Sequence, residues 1–158
     1  MRTSRYVSFA SLLFFGCCIF LNCSQNKKEP NEFVEAMDHR TKIRFRQYMI
    51  QGKKLYQRHC ANCHGQEGEG LALLHPPLSK SDYLIQDIER SVCQMRNGLA
   101  EEIVVNGKTY NQKMPPNKEL RALEIAEIMT YITNSWGNEK GMTSSKEVEK
   151  ILNKCPNI

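Results

Sequence analysis

Cys60, Cys63 and His64 occur in the run Cys60-Ala61-Asn62-Cys63-His64, with an imidazole directly after the second of two closely spaced thiols. On one helical turn, both thiols can add to the two vinyl groups of a single porphyrin. The histidine is then held beneath the iron as an axial ligand, so the chemistry these residues point to is covalent attachment of one c-type haem. A zinc site would want a second Cys/His pair of similar spacing, and none follows His64. A thiol–disulfide exchange centre would want a β-α-β surround, whereas the sequence around Cys60 has a helical pattern.

A second iron ligand can be sought downstream. Met114 lies between polar residues and the pair Pro115-Pro116, an odd setting for a core side chain. Its thioether is a neutral, soft ligand that favours ferrous iron and raises the potential of a His/Met haem, and the prolines stiffen the loop that aims the sulfur. His75, before Pro76-Pro77-Leu78, reads as a solvent-facing loop histidine. The loop Gly65-Gln66-Glu67-Gly68-Glu69-Gly70 can approach a flat ligand closely. It is no phosphate loop, because no Lys-Ser/Thr follows and its two carboxylates would repel phosphate.

These residues need elements to position them. Residues 40–58 carry seven cations and no carboxylate, with Phe45, Met49, Leu55 and Tyr56 at spacings that one side of a helix buries. That helix leads into the cysteine motif. Its basic face is either a solvated surface, a docking surface for an acidic redox partner, or a contact for anionic lipid headgroups. Residues 81–97 have a helical pattern in Leu84, Ile88, Val92 and Met95, with Ser81-Asp82 as a cap and Gly98 as the stop. Asn106-Gly107 between two short β-prone runs predicts a hairpin. Residues 119–136 form the last strong helix, stopped at Gly137, and residues 139–158 read as a tail with a turn or two of amphipathic helix around Val148.

The N-terminus is of another kind. Arg2 and Arg5 precede an almost wholly apolar run over residues 7–21, which turns abruptly polar after Cys23. Residues 1–22 read as a lipoprotein-type signal peptide, with Cys23 acylated and residues 23–39 a polar tether. The segment resembles a lipobox, although Asn22 is larger than the residue usual before the cysteine, and Cys17 or Cys18 could carry the acyl chains instead. An uncleaved apolar helix is the alternative anchor. The expected location is the periplasmic side of a bacterial membrane. The formal net charge of +5 in 158 residues is too small to argue for nucleic acid. With Cys60 and Cys63 assigned to haem, Cys23 to lipid, and Cys17 and Cys18 to the leader, Cys93 and Cys155 remain, and two thiols in an oxidising compartment are expected to pair.

Over residues 47–138 the chain resembles class I cytochromes c, the short bacterial single-haem domains. The likeness rests on the cysteine motif, Pro76-Pro77-Leu78 with Ser81-Asp82-Tyr83-Leu84, and Val105-Asn106-Gly107-Lys108-Thr109-Tyr110 ahead of Met114-Pro115-Pro116. It extends to Tyr131-Ile132 and Asn134-Ser135-Trp136-Gly137-Asn138. The resemblance implies an all-α fold around one covalent haem, with a short β-hairpin near the axial methionine loop. It implies a helix crossing in which Gly52 and Tyr56 face residues near Tyr131, and a Pro76 carbonyl that accepts the His64 ring N–H and fixes its tautomer. It also implies a domain over residues 40–138 that carries single electrons between redox protein partners and is not itself an enzyme. The alternatives are a haem subunit or domain of a respiratory enzyme (oxidase, nitrite reductase or dehydrogenase), or a peroxidase. A catalytic haem needs an open or labile sixth position and a distal acid/base group; Met114 should close that position, and no distal histidine is evident. A haem gas sensor is a third reading, but no signalling domain accompanies these residues.

Overall fold

The helix expected over residues 40–58 runs from His39 to His59 in the computed structural model, which describes residues 32–156. It is α2 of the chain, and one turn, α1 (Glu32–Glu35), precedes it in the stretch expected to be tether. The leader, Cys17, Cys18 and the acylation expected at Cys23 lie outside the described residues. Asp38 starts α2 by accepting the backbone N–H groups of Arg40 and Thr41, two donors that a first helical turn leaves without partners. Its inner face buries Phe45, Gly52 and Tyr56, and its cations point outward.

A short helix, α3 (Ala61–His64), carries the motif directly off the end of α2, with Cys60 at the junction. Downstream the structure departs from the single helix expected over residues 81–97. Two helices, α4 (Asp82–Gln86) and α5 (Ile88–Asn97), meet at Asp87, which is extended at φ −144°, ψ 97° and caps α5 by accepting Arg90 N–H. The apolar spacing reads straight through this break. The capping carboxylate makes it.

The hairpin forms where Asn106-Gly107 indicated. β1 (Ile103–Val105) and β2 (Lys108–Tyr110) pair antiparallel with Ile103 opposite Tyr110, and Asn106 and Gly107 both have positive φ, as a two-residue I′ turn requires. Asp82 and Asn106 exchange backbone-to-side-chain hydrogen bonds, at 2.8 and 3.1 Å, which ties the hairpin to the start of α4.

The helix α6 (Ala122–Ile132) is shorter than the expected residues 119–136 and ends well before Gly137. At its end the Thr133 hydroxyl donates to Met129 O at 2.7 Å, and Asn138 reaches back to Ile132 O and Leu78 O, so residues 133–138 fold as a bonded turn. A second difference follows. The tail contains a regular helix, α7 (Ser145–Leu152), opened by a reciprocal Ser144–Glu147 capping box and burying Val148 and Ile151.

The core is the crossing of α2 and α6, with α7 laid on α6 and α5 laid on α7. A Cβ on Gly52 would sit 2.0 Å from the Glu127 carbonyl oxygen, so only glycine lets the two backbones come this close. The rings of Tyr56, Tyr131 and Trp136 stack around the same crossing with centroids 5.1 to 5.6 Å apart, within the range where aromatic pairs attract. The architecture is thus all-α with a small hairpin.

Candidate haem site

Helices α3, α5 and α6, the hairpin and the loop containing Met114 surround one cleft. About 970 Å³ of atom-free space lies within it, part of it open to solvent. Cys60, Cys63 and His64 line it, as do Pro76, Pro77 and Leu78 from the loop after the motif. Leu84, Met95, Leu99, Ile103, Val105, Met129 and Ile132 make the rest of the lining predominantly apolar. Met114 belongs to the same lining, so the structure brings together the two cysteines, the histidine and the methionine that the sequence marked for haem attachment and iron ligation.

The His64 ring is held by a hydrogen bond to the chain itself. Its Nδ1 lies 2.9 Å from the Pro76 carbonyl oxygen, which can only accept, so Nδ1 carries the proton and Nε2 keeps its lone pair. Burial pushes its pKa below the usual imidazole range, against the opposing pull of the Pro76 hydrogen bond, and this favours the neutral form a metal ligand needs. Tyr56 supports the same turn by donating to Gly65 O at 2.6 Å. Burial, with Cys63 alongside, pushes the Cys60 thiol up to about 12.

Met114 is held differently. Its backbone makes a two-bond bridge with Leu99, N–H to O at 2.8 Å and O from N–H at 2.9 Å. Its neighbours Lys113, Pro115 and Pro116 are exposed, and its loop is bonded through the backbone to the end of α5.

Three features differ from the sequence expectations. His75 lines the cleft and is half-buried, because a Leu71–His75 bridge folds the loop back on itself. The glycine loop does not lie on the cleft: Gly68 sits against the Trp136 ring, and Gly70 against the backbone of His75 to Pro77. Ser91 and Gln94 of α5 reach the lining as well, and Gln94 donates to the Tyr83 hydroxyl at 2.6 Å. No motif marks those two. Ser91 lies one helical turn before Met95 and Gln94 three residues after Ser91, and that spacing is the one signal that could have found them. Elsewhere, Cys93 and Cys155 form a disulfide with Cα atoms 5.5 Å apart, joining α5 to the chain after α7.

A large apolar cleft, a thiol pair on one helical turn, a neutral histidine with a fixed tautomer and a thioether loop are the donor set of a covalently bound haem, and the residues fit it. Comparison with known proteins agrees. The family model for cytochrome c matches residues 49–136. Cytochrome c-552 of Thermus thermophilus is 32% identical over 109 residues, spanning 63% of this chain and 82% of that protein. The cytochrome c subunit of the quinone alcohol dehydrogenase of Gluconacetobacter polyoxogenes is 29% identical over 107 residues, and the match spans only 22% of that longer chain. The chain belongs to the cytochrome c family, as a class I domain with one covalent c-type haem that carries electrons.

Proposed function

We propose that this chain is a membrane-held shuttle for single electrons, its haem bonded to Cys60 and Cys63 and its iron ligated by His64 and Met114. The supporting observation is one cleft lined by all four side chains, with the His64 tautomer preset by Pro76. When bound, the haem supplies a ferrous/ferric couple that takes up or releases one electron. The protein's part is to hold the two ligands through that change. The Pro76 carbonyl keeps the imidazole oriented, the Leu99 bridge keeps Met114 at the cleft, and the apolar lining limits water. Met114 would be the second ligand to the iron, which suits an electron carrier better than an enzyme that binds substrate at the metal.

Partners then meet the protein at its surface. The outward face of α2, with Arg40, Arg44, Arg46, Lys53, Lys54 and Arg58 exposed, suits an acidic redox partner and would speed encounter. Anchoring follows from the N-terminus: residues 1–22 are removed, acyl chains on Cys23 hold the protein to the periplasmic side of a bacterial membrane, and the polar stretch after it is the tether. The likeness to dehydrogenase cytochrome c subunits supports a second reading, in which the chain is the electron-carrying subunit of a larger enzyme.

Three measurements test these statements. The oxidised protein should show a weak sulfur-to-iron charge-transfer band, and mixing with peroxide or nitrite should give no sustained turnover; turnover with the band intact would overturn the carrier assignment. Labelling with a palmitate analogue should mark the full chain and spare Cys23→Ser; unchanged labelling would move the lipid to another cysteine. Affinity capture from native membranes separates the free shuttle from the subunit, since stoichiometric recovery of a dehydrogenase would establish the latter.

A further inference from the structure

We infer that the C-terminal segment, through the Cys93–Cys155 disulfide, is the clamp that positions the Met114 loop. The inference rests on Met114 being an iron ligand, as proposed above. A short path of bonds connects the two. Met114 pairs with Leu99 through both of its backbone hydrogen bonds, and Leu99 directly follows Gly98, the glycine that ends α5. A Cβ on Gly98, whose φ is +82°, would lie 2.7 Å from the Met114 carbonyl oxygen, so the loop is pressed onto the helix end. Asn117 N–H donates to Met95 O at 3.1 Å and Arg96 donates to Lys118 O at 3.1 Å, so the loop's far side also hangs on α5.

What fixes α5 is the tail. The helix meets α7 more extensively than it meets α6. Its C-terminal half is joined to the segment after α7 twice: by the disulfide, and by Asn97 donating to Pro156 O at 2.9 Å. The tail in turn is bonded to α6 and to the turn that follows it. Thr143 and Thr130 exchange hydrogen bonds at 3.1 and 3.3 Å, as do Asn134 and Gly141 at 2.8 and 2.9 Å, while Val148 and Ile151 are buried. Helix α6 lines the cleft through Met129 and Ile132. The tail therefore spans from one cleft helix to the other and sets the place of the loop that closes the site. Without the cross-link α5 keeps its α7 packing and the Asn97 bond, but the covalent tie between the helix and the tail is lost.

The test uses the full haem-loaded chain with Cys93→Ser/Cys155→Ser. The control is Phe45→Ala, which empties a buried position on α2 away from α5 and leaves the disulfide intact. Amide hydrogen exchange is read at Leu99, Met114 and Asn117 against amides of the α2–α6 crossing. Carbon monoxide association with the ferrous protein is read alongside. The double variant should speed exchange at those three amides at least tenfold more than at the crossing, and should speed carbon monoxide binding about tenfold. Phe45→Ala should do neither. Uniform loss of protection, or unchanged exchange at the three amides, overturns the clamp. If Met114→Ala leaves carbon monoxide binding unchanged, the ligation reading fails instead, and the exchange pattern still decides the clamp. Should the double variant not fold, Asn97→Ala with the disulfide kept carries the test: it must raise exchange at the same amides selectively, and no selective rise contradicts the proposal.

Discussion

The histidine wall and the methionine loop of the cleft are built by opposite means. His64 follows immediately from a helix seated in the core, with Tyr56 bonded across its turn, Pro76 fixing its ring and the aromatic cluster beneath. Met114 sits on a loop with exposed neighbours, held by backbone bonds to the end of α5. Losing the first support means opening the core. Losing the second means opening only a local unit, and local openings cost less than global unfolding. The contrast teaches that one of the two side chains can be held as firmly as the fold while the other depends on how α5 is anchored.

The largest expected effect breaks the histidine side. Gly52→Val places side-chain atoms where the Glu127 carbonyl lies 2.0 Å from even a Cβ, and backbone cannot swing away as a flexible side chain can. We expect loss beyond the ~3 kcal/mol usual for overpacking, read as failure to reach a cooperative thermal transition. A protein that melted normally would show that the α2–α6 approach can spread.

The methionine side is broken from the tail. Cys93→Ser/Cys155→Ser removes a cross-link between residues 62 apart, which chain-entropy reasoning values at about 4 kcal/mol. Denaturant unfolding should show that loss while the absorption due to the histidine-bound haem is retained under native conditions. Equal stability in the presence and absence of the disulfide would remove the tail from the account.

Tyr56→Phe sharpens the comparison on the histidine side by deleting the 2.6 Å bond to Gly65 O without changing packing. A cost of about 1 kcal/mol in unfolding free energy is expected, with the Met114 band unaltered. Smaller still in structural terms is Lys53→Glu/Lys54→Glu, on the exposed face of α2. It should slow electron exchange with an acidic partner by about tenfold at low salt, and less as the Debye length shortens to about 8 Å at physiological salt, with spectrum and stability unchanged. Exchange indifferent to charge reversal would leave the carrier and remove the docking face.

How far the sequence reveals these two regions follows the range of the forces involved. The Cys60–His64 spacing, the Asn106-Gly107 turn and the Met114-Pro115-Pro116 loop are local signals, and each lies in the structure where local chemistry put it. Asp87 also acts locally, but an apolar pattern running through it hides a cap that only the backbone reveals. The α7 helix was legible as little more than a turn, because its order comes from Val148 and Ile151 packing against α6 and from hydrogen bonds between Thr143 and Thr130, partners far off in sequence. His75 reads as exposed until the Leu71–His75 bridge turns it toward the cleft. Long-range packing conceals α7, while at Asp87 and His75 local backbone bonds leave no mark in the apolar pattern.

The central claim is that Met114 closes the iron opposite His64, and the proton NMR spectrum of the reduced protein tests it most directly. A methionine methyl fixed over the porphyrin face lies in its ring current, which shifts the resonance far upfield. One three-proton signal in that region, present in the native chain and in Cys93→Ser/Cys155→Ser but absent from Met114→Ala, is the predicted result. Its absence from the native chain, or its survival in Met114→Ala, would contradict the account.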